Sequence, residues 1–324
     1  MQGVRFEKGG ERLLEADPGQ FCGNLNVRSF MFRHNMCGCP LFELPRLAEL
    51  AERMLERGDT KRFVALGGKE NTAVSKFTAM PQERRLAATV RELAGTSAWL
   101  KISSADAADP EYAEFLQQCL QEIEQLSGVP LRRQITWSAL TIFLASPHVV
   151  TPYHIDHESN FLFQISGAKQ VSLFDPNDRY LLPESQIESF YSGNFQAAQY
   201  REEFQSRATQ YDLVPGMVVH NPPLGPHWVQ NGNDVSISVS IGFCMRSLDR
   251  RARVYQVNHY LRKLGLGPTP PGRSALSDQL KIAGIGLLSK SNPTTPDEIL
   301  FSGLARASVP PRVLKRWMSS LRGA

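Results

Sequence analysis

The sequence predicts a mainly β core, a barrel of short antiparallel strands, with helical segments on either side of it in the chain. Three observations carry this. The texture turns from helical to β-rich near residue 134. The segment 235–244, with its VSISVSIGF run, alternates Val or Ile with Ser or Gly, so one face is apolar and the other small and polar. After Arg246 the texture becomes helical again.

The first third reads as helix. Residues 41–57 place Leu44, Leu47, Leu50, Ala51, Met54 and Leu55 at helical spacing, and Gly58 supplies the stop. Residues 82–94 carry a second helical pattern. Residues 111–126 carry a third, ended by Ser127-Gly128. Strands are expected at 137–145, 161–166, 169–174, 217–220, 227–230 and 235–244, broken by Pro, Gly, Asn and Asp. Between them, 191–211 reads as a helical surface segment, with Tyr200, Arg201 and Glu202 as weak substrate-contact candidates. Residues 252–264 form a further helix, the GLGPTPPG stretch at 265–272 a linker, and 274–289, 296–306 and 310–321 the last helices. The expected organisation is a helical extension over 1–130, a β core over 131–247 and a helical region over 248–324.

Composition narrows the function classes. Lys+Arg is 36 against Asp+Glu 32, a net charge of +4, too small to signal nucleic-acid binding. Hydrophobic residues make up 42%, ordinary for a globular chain and against disorder. No apolar run approaches the roughly 20 residues of a membrane helix, and the first residues lack the apolar core of a secretory signal. The expectation is a soluble, cytoplasmic protein. Its five cysteines, Cys22, Cys37, Cys39, Cys119 and Cys244, are an odd number and read as reduced thiols. Cys37-Gly-Cys39 has the wrong spacing for a zinc pair.

The chemistry concentrates in Thr151-Pro-Tyr-His154-Ile-Asp156. Residues i and i+2 of a strand share a face, so His154 and Asp156 can ligate one metal. His227, in PLGPHW, is the candidate second imidazole. Two His and one carboxylate form the facial triad that suits Fe(II) and leaves open positions. H-x-D alone is a weak signal, and a buried polar cluster would use the same residues. Lys169, on the strand after the Gly167 turn, can meet an anionic co-substrate beside the metal. His148, His157 and His220 read as structural.

The stretch VTPYHIDHESNFLFQISGAKQVSLFDP (150–176) resembles the metal-binding segment of the JmjC/cupin-like 2-oxoglutarate oxygenases. It is similar to the asparaginyl hydroxylase of hypoxia-inducible factor and to bacterial cupin-like relatives. The resemblance runs from about 134 to 244. It implies a double-stranded β-helix (cupin or jelly-roll) barrel. It implies Fe(II) on His154, Asp156 and His227, and 2-oxoglutarate anchored by Thr151 and Lys169 with Asn160 nearby. Ser240 stands where that hydroxylase has an Asn facing the co-substrate. The implied activity is hydroxylation of a protein, peptide or small molecule with O2, releasing succinate and CO2. The resemblance also makes the C-terminal helices a homodimer candidate, as does the amphipathic look of 274–289. Two other classes remain open on the residues alone: a cupin metalloenzyme that uses no 2-oxoglutarate, and a non-catalytic cupin that senses a small acid.

Overall fold

The computed structural model describes residues 12–57, 63–67, 98–293 and 296–307. The helices expected at 82–94 and 310–321 lie outside them. Among the described residues, strands form two antiparallel sheets. The larger contains β1 (Leu14–Glu15), β2 (Phe30–His34), β3 (Phe63–Gly67), β4 (Ala98–Ile102), β5 (Ile135–Ala145), β7 (Ser159–Ser166), β10 (Met217–Asn221) and β12 (Ser236–Met245), in the order β1-β2-β10-β7-β12-β5-β4-β3. The smaller contains β6 (Val150–His154), β8 (Lys169–Leu173), β9 (Thr209–Leu213) and β11 (His227–Asn231), in the order β6-β11-β8-β9. The chain steps from one sheet to the other through β5, β6, β7 and β8, and again through β10, β11 and β12. That winding is the jelly-roll expected from the sequence. The two sheets face each other across a cavity, and among the described residues no ladder joins them into one hydrogen-bonded barrel.

The alternating strand behaves as its pattern requires. Val239, Ile241 and Phe243 of β12 join an apolar core with Leu140, Ile142 and Leu144 of β5. The same core contains Leu47, Ala51 and Met54 of α2 (Leu44–Glu56), and Phe115, Cys119 and Ile123 of α4 (Pro110–Ser127). Burying each large apolar side chain contributes about 1.5–3 kcal/mol. Helix α4 starts on Asp109, whose carboxylate accepts from the Glu111 amide at 3.0 Å. Arg46 and Arg53 of α2 reach the same carboxylate at 2.6 and 3.0 Å and hold it below the usual carboxylate range. Gly128 ends α4 at φ 69°, a left-handed cap. The short helices α1 (Pro18–Phe21), α3 (Ala105–Ala108) and α5 (Leu131–Gln134) complete this part.

Two segments differ from expectation. β1, β2, β3 and β4 add strands to the large sheet from a stretch read as mostly helical. Five-residue strands such as Phe-Met-Phe-Arg-His carry too few positions for a period of two to stand out. The presumed surface helix at 191–211 consists instead of the end of α6 (Glu184–Tyr191), a 3-10 turn at Glu202–Arg207 and β9. Gln205 explains why the turn stays down. Its amide oxygen accepts from Tyr200 Oη and Trp228 Nε1, both at 3.0 Å, while its nitrogen donates to Ser172 Oγ at 3.1 Å.

The chain divides into two compact units. One runs to Pro183 and resumes over Phe195–Leu248, and the other takes Glu184–Asn194 and the chain from Asp249 onward. The second unit contains α6, most of α7 (Arg246–Lys263), α8 (Ala275–Gly286) and α9 (Pro296–Ala307). Inside it Glu188, 1% exposed, receives both Nε and Nη2 of Arg262 at 2.6 and 2.8 Å. Tyr191 stacks on Tyr255 at 5.6 Å. Leu276, Leu280 and Leu287 lie exposed along and just beyond α8. No described helix is long and apolar enough to cross a membrane.

Candidate active site

His154 closes β6 and His227 opens β11, and the two are direct partners in the sheet register. The pairing then slips, so that Val229 faces Thr151. Pro152 and Tyr153 fill this irregularity. Proline is tolerated there because it has no N–H to give to a ladder. His154 Nδ1 lies 2.7 Å from the Pro152 carbonyl. A carbonyl can only accept, so Nδ1 carries the proton and Nε2 is the nitrogen that bears the lone pair. Both Nε2 atoms turn to Asp156, at 3.9 Å from His154 and 3.6 Å from His227 to the same Oδ2. One ligand atom from each of the three lies within 4.8 Å of the others, as a shared metal requires. Burial is the main cause that depresses both imidazoles, each to about 4, so both are neutral at pH 7.

A cavity of about 210 Å³ lies between the sheets. All seven metal-ligand and co-substrate candidates line it, Thr151, His154, Asp156, Asn160, Lys169, His227 and Ser240, whereas the weak candidates Tyr200, Arg201 and Glu202 do not. Lys169 opens β8 just past Gly167, which turns the chain at φ +69°. A Cβ at Gly167 would collide with the Val235 carbonyl, so both space and conformation demand glycine. Lys169 is 8% exposed, and no acceptor among the described residues pairs with its ammonium. Burial alone brings it from 10.5 down to about 7. Asn160 and Ser240 hold one another, Nδ2 to Oγ at 2.8 Å, on the wall made by β7 and β12.

His157 is buried with Nε2 at 2.8 Å from Cys244 Sγ, His148 is exposed, and His220 lies between the Asn26 amide and the Asn160 carbonyl at 3.1 Å each. None of them lines the cavity. None of the five cysteines, all among the described residues, is in a disulfide.

Four of the cavity residues that the sequence reading did not single out bear on the site. Lys101 and Trp99 come from β4, Glu158 follows Asp156, and Asn221 ends β10. Glu158 is pushed up to about 7, first by burial and then by Asp156. Gly242 makes room for it, because a Cβ there would lie 3.3 Å from Glu158 Cγ. The Asn221 amide nitrogen is 3.0 Å from His227 Nδ1, and the Gly225 carbonyl is also 3.0 Å from that Nδ1. The usable sequence signal for Glu158 was its i+2 spacing from Asp156. Asn221 gave none.

Fold and site together define a jelly-roll protein with a two-histidine, one-carboxylate cluster in its cavity. The family model described as "Cupin-like domain" matches residues 45–248, and the chain belongs to that family. No curated protein sequence matches it. Among solved structures, it is similar to ycfD of Escherichia coli, at 15% identity and TM-score 0.51 over 95% of this chain and 72% of that one. It is equally similar to YcfD, described as a ribosomal oxygenase from Escherichia coli, in complex with cobalt and 2-oxoglutarate and with cobalt and succinic acid. Identity is again 15% and TM-score 0.51, over 95% of this chain and 71% of each of those. At this identity the likeness establishes the fold.

Proposed function

We propose that the protein is an Fe(II)- and 2-oxoglutarate-dependent oxygenase, a hydroxylase in its reaction type. One observation carries the reading: a buried Lys169 ammonium, unpaired among the described residues, in the same cavity as His154, Asp156 and His227. The residues fit the groups. Two neutral imidazoles and one carboxylate make a facial donor set for Fe(II) that leaves coordination positions open. A dicarboxylate with one end at the metal and the other at Lys169 would supply the counter-charge the lysine lacks. Thr151, which also lines the cavity, would donate its hydroxyl to the same carboxylate.

Bound Fe(II), 2-oxoglutarate and O2 supply the oxidising chemistry, in which the co-acid is converted to succinate and CO2 and one oxygen atom goes to the substrate. The protein orients and shields. Pro152 and Gly225 carbonyls fix both imidazole rings, and Leu162, Val171, Leu173 and Val219 keep the cavity wall apolar. Trp99, Lys101, Phe143 and Glu158 form wall that neither the triad nor Lys169 occupies, which leaves it for the substrate. The substrate is a protein, peptide or small molecule. YcfD, a ribosomal oxygenase, is the reason to try protein substrates first. Reduced cysteines suit a cytoplasmic setting, and the exposed leucines of α8 support self-association as a homodimer.

Succinate release from 2-oxoglutarate tests the reading. It should need Fe(II) and O2 and should rise with the true substrate, which mass spectrometry would find heavier by one oxygen atom. Turnover of another substrate without 2-oxoglutarate would favour a different metalloenzyme. Binding of 2-oxoglutarate with no succinate under any substrate would favour a sensor.

A further inference from the structure

Asn221 stands behind His227, away from the metal face of the ring. It is 6% exposed, at the end of β10, and its register partner is Asn160. Its Nδ2 is 3.0 Å from His227 Nδ1 and 3.4 Å from the Gly225 carbonyl. Its Oδ1 is buried with no hydrogen-bond partner among the described residues. This arrangement conflicts with ligation. If Nε2 binds a metal, the ring proton sits on Nδ1, and an amide N–H pointed at Nδ1 sets donor against donor. Nitrogen and oxygen of an amide have the same shape, so turning the group by half a rotation exchanges them. Oδ1 then accepts the Nδ1–H and the orphaned acceptor is satisfied. Gly225 belongs to the same device. A Cβ there would collide with the Asn221 amide, so the turn before His227 has been kept open for it.

We propose that Asn221 is the positioning residue of His227: its side-chain oxygen, together with the Gly225 carbonyl, accepts the Nδ1 proton and holds the ring in the tautomer that presents Nε2 to the metal. This rests on the metal-site reading above but not on turnover. Outer partners of metal-bound histidines change affinity by about 10–100-fold when lost.

Cobalt titration of the full chain without 2-oxoglutarate, followed by the visible absorption of bound Co(II), tests it against two variants of similar size. Asn221→Asp keeps an acceptor and should bind Co(II) at least as tightly as the parent. Asn221→Leu removes it and should bind about 10–100-fold more weakly. A role in packing alone would not favour Asp over Leu in this way. On the parent protein loaded with Zn(II), nitrogen-detected NMR should show a slowly exchanging proton on His227 Nδ1, a readout that needs no variant to fold. Equal cobalt affinity in parent and Leu variant would overturn the Asn221 proposal and leave the metal site standing. A weakened Asp variant would overturn the acceptor assignment. Absence of any cobalt binding by the parent would overturn the metal site and this proposal together.

Discussion

His154 and His227 face each other across β6 and β11, their ring centroids 4.0 Å apart and both Nε2 atoms directed at one oxygen of Asp156. Without a metal, two lone pairs and a carboxylate converge on the same small volume. That is an electrostatically costly arrangement which a dication relieves. Fe(II) or Co(II) should therefore raise the melting temperature of the protein. Asp156→Ala and His154→Ala should each abolish that rise and any metal-dependent succinate release. Full turnover by His154→Ala would sink the site assignment.

Acid should destabilise the metal-free protein early. His154 and His227 titrate near 4 and His220 near 3 in the folded state, all depressed mainly by burial. The unfolded chain titrates them near 6.5. Between those values the unfolded state holds more protons, so stability rises with pH from about 4 to about 6.5. Chemical denaturation across that range should show it, with unfolding taking up as many as three protons from these groups. A flat profile would mean that the three imidazoles are already protonated when folded.

Lys169 gives the opposite end of the scale. Its folded value of about 7 lies below its ordinary 10.5, so it is protonated longer in the unfolded chain. By the same linkage, stability of the metal-free protein should rise with pH between about 7 and 10.5. Lys169→Met should remove that slope and raise stability at pH 7. The same change should weaken 2-oxoglutarate binding far more than metal binding. In the parent, 2-oxoglutarate binding above pH 7 must draw a proton onto Lys169. Affinity measured by calorimetry should then fall by up to tenfold per pH unit, with proton uptake visible as a buffer-dependent heat.

Gly167 sets the turn that delivers Lys169. Gly167→Ala forces a Cβ into the Val235 carbonyl at a positive φ, so the cost should exceed about 1 kcal/mol in denaturant melts. Gly193, also at positive φ but with open space around its Cβ position, is the control and should lose less.

Leu276 and Leu280 are 69% and 65% exposed on α8, one turn apart. If they form the homodimer contact, sedimentation should give a dimer for the parent and a monomer for Leu276→Ser/Leu280→Ser. A monomeric parent at high concentration would end that part of the reading.

The legible part of this protein was its periodicities. β12 announced itself because ten residues keep strict alternation, and α2 because six apolar positions fall on one helical face. His154 and Asp156 were readable as a pair from their spacing of two, although β6 ends at His154 and Asp156 reaches the cluster from the loop just beyond it. The rest depended on long-range register. Lys101 reaches the cavity because β4 pairs with β5, and no local pattern in Trp-Leu-Lys-Ile says so. Asn221 acts through a turn whose geometry turns on one glycine. Pro152, which reads as a strand breaker, sits inside β6 because the register slips there.

The second unit has a practical consequence for cutting the chain. It borrows α6 from between β8 and β9, and the ion pair of Glu188 with Arg262 lies wholly within it. A protein ended at residue 248 would still make Glu188, stripped of its guanidinium and inserted in the middle of the jelly-roll sequence. The C-terminal helices are therefore no detachable tail. Shortened forms need a second edit over 184–194 before their behaviour reports on the cavity.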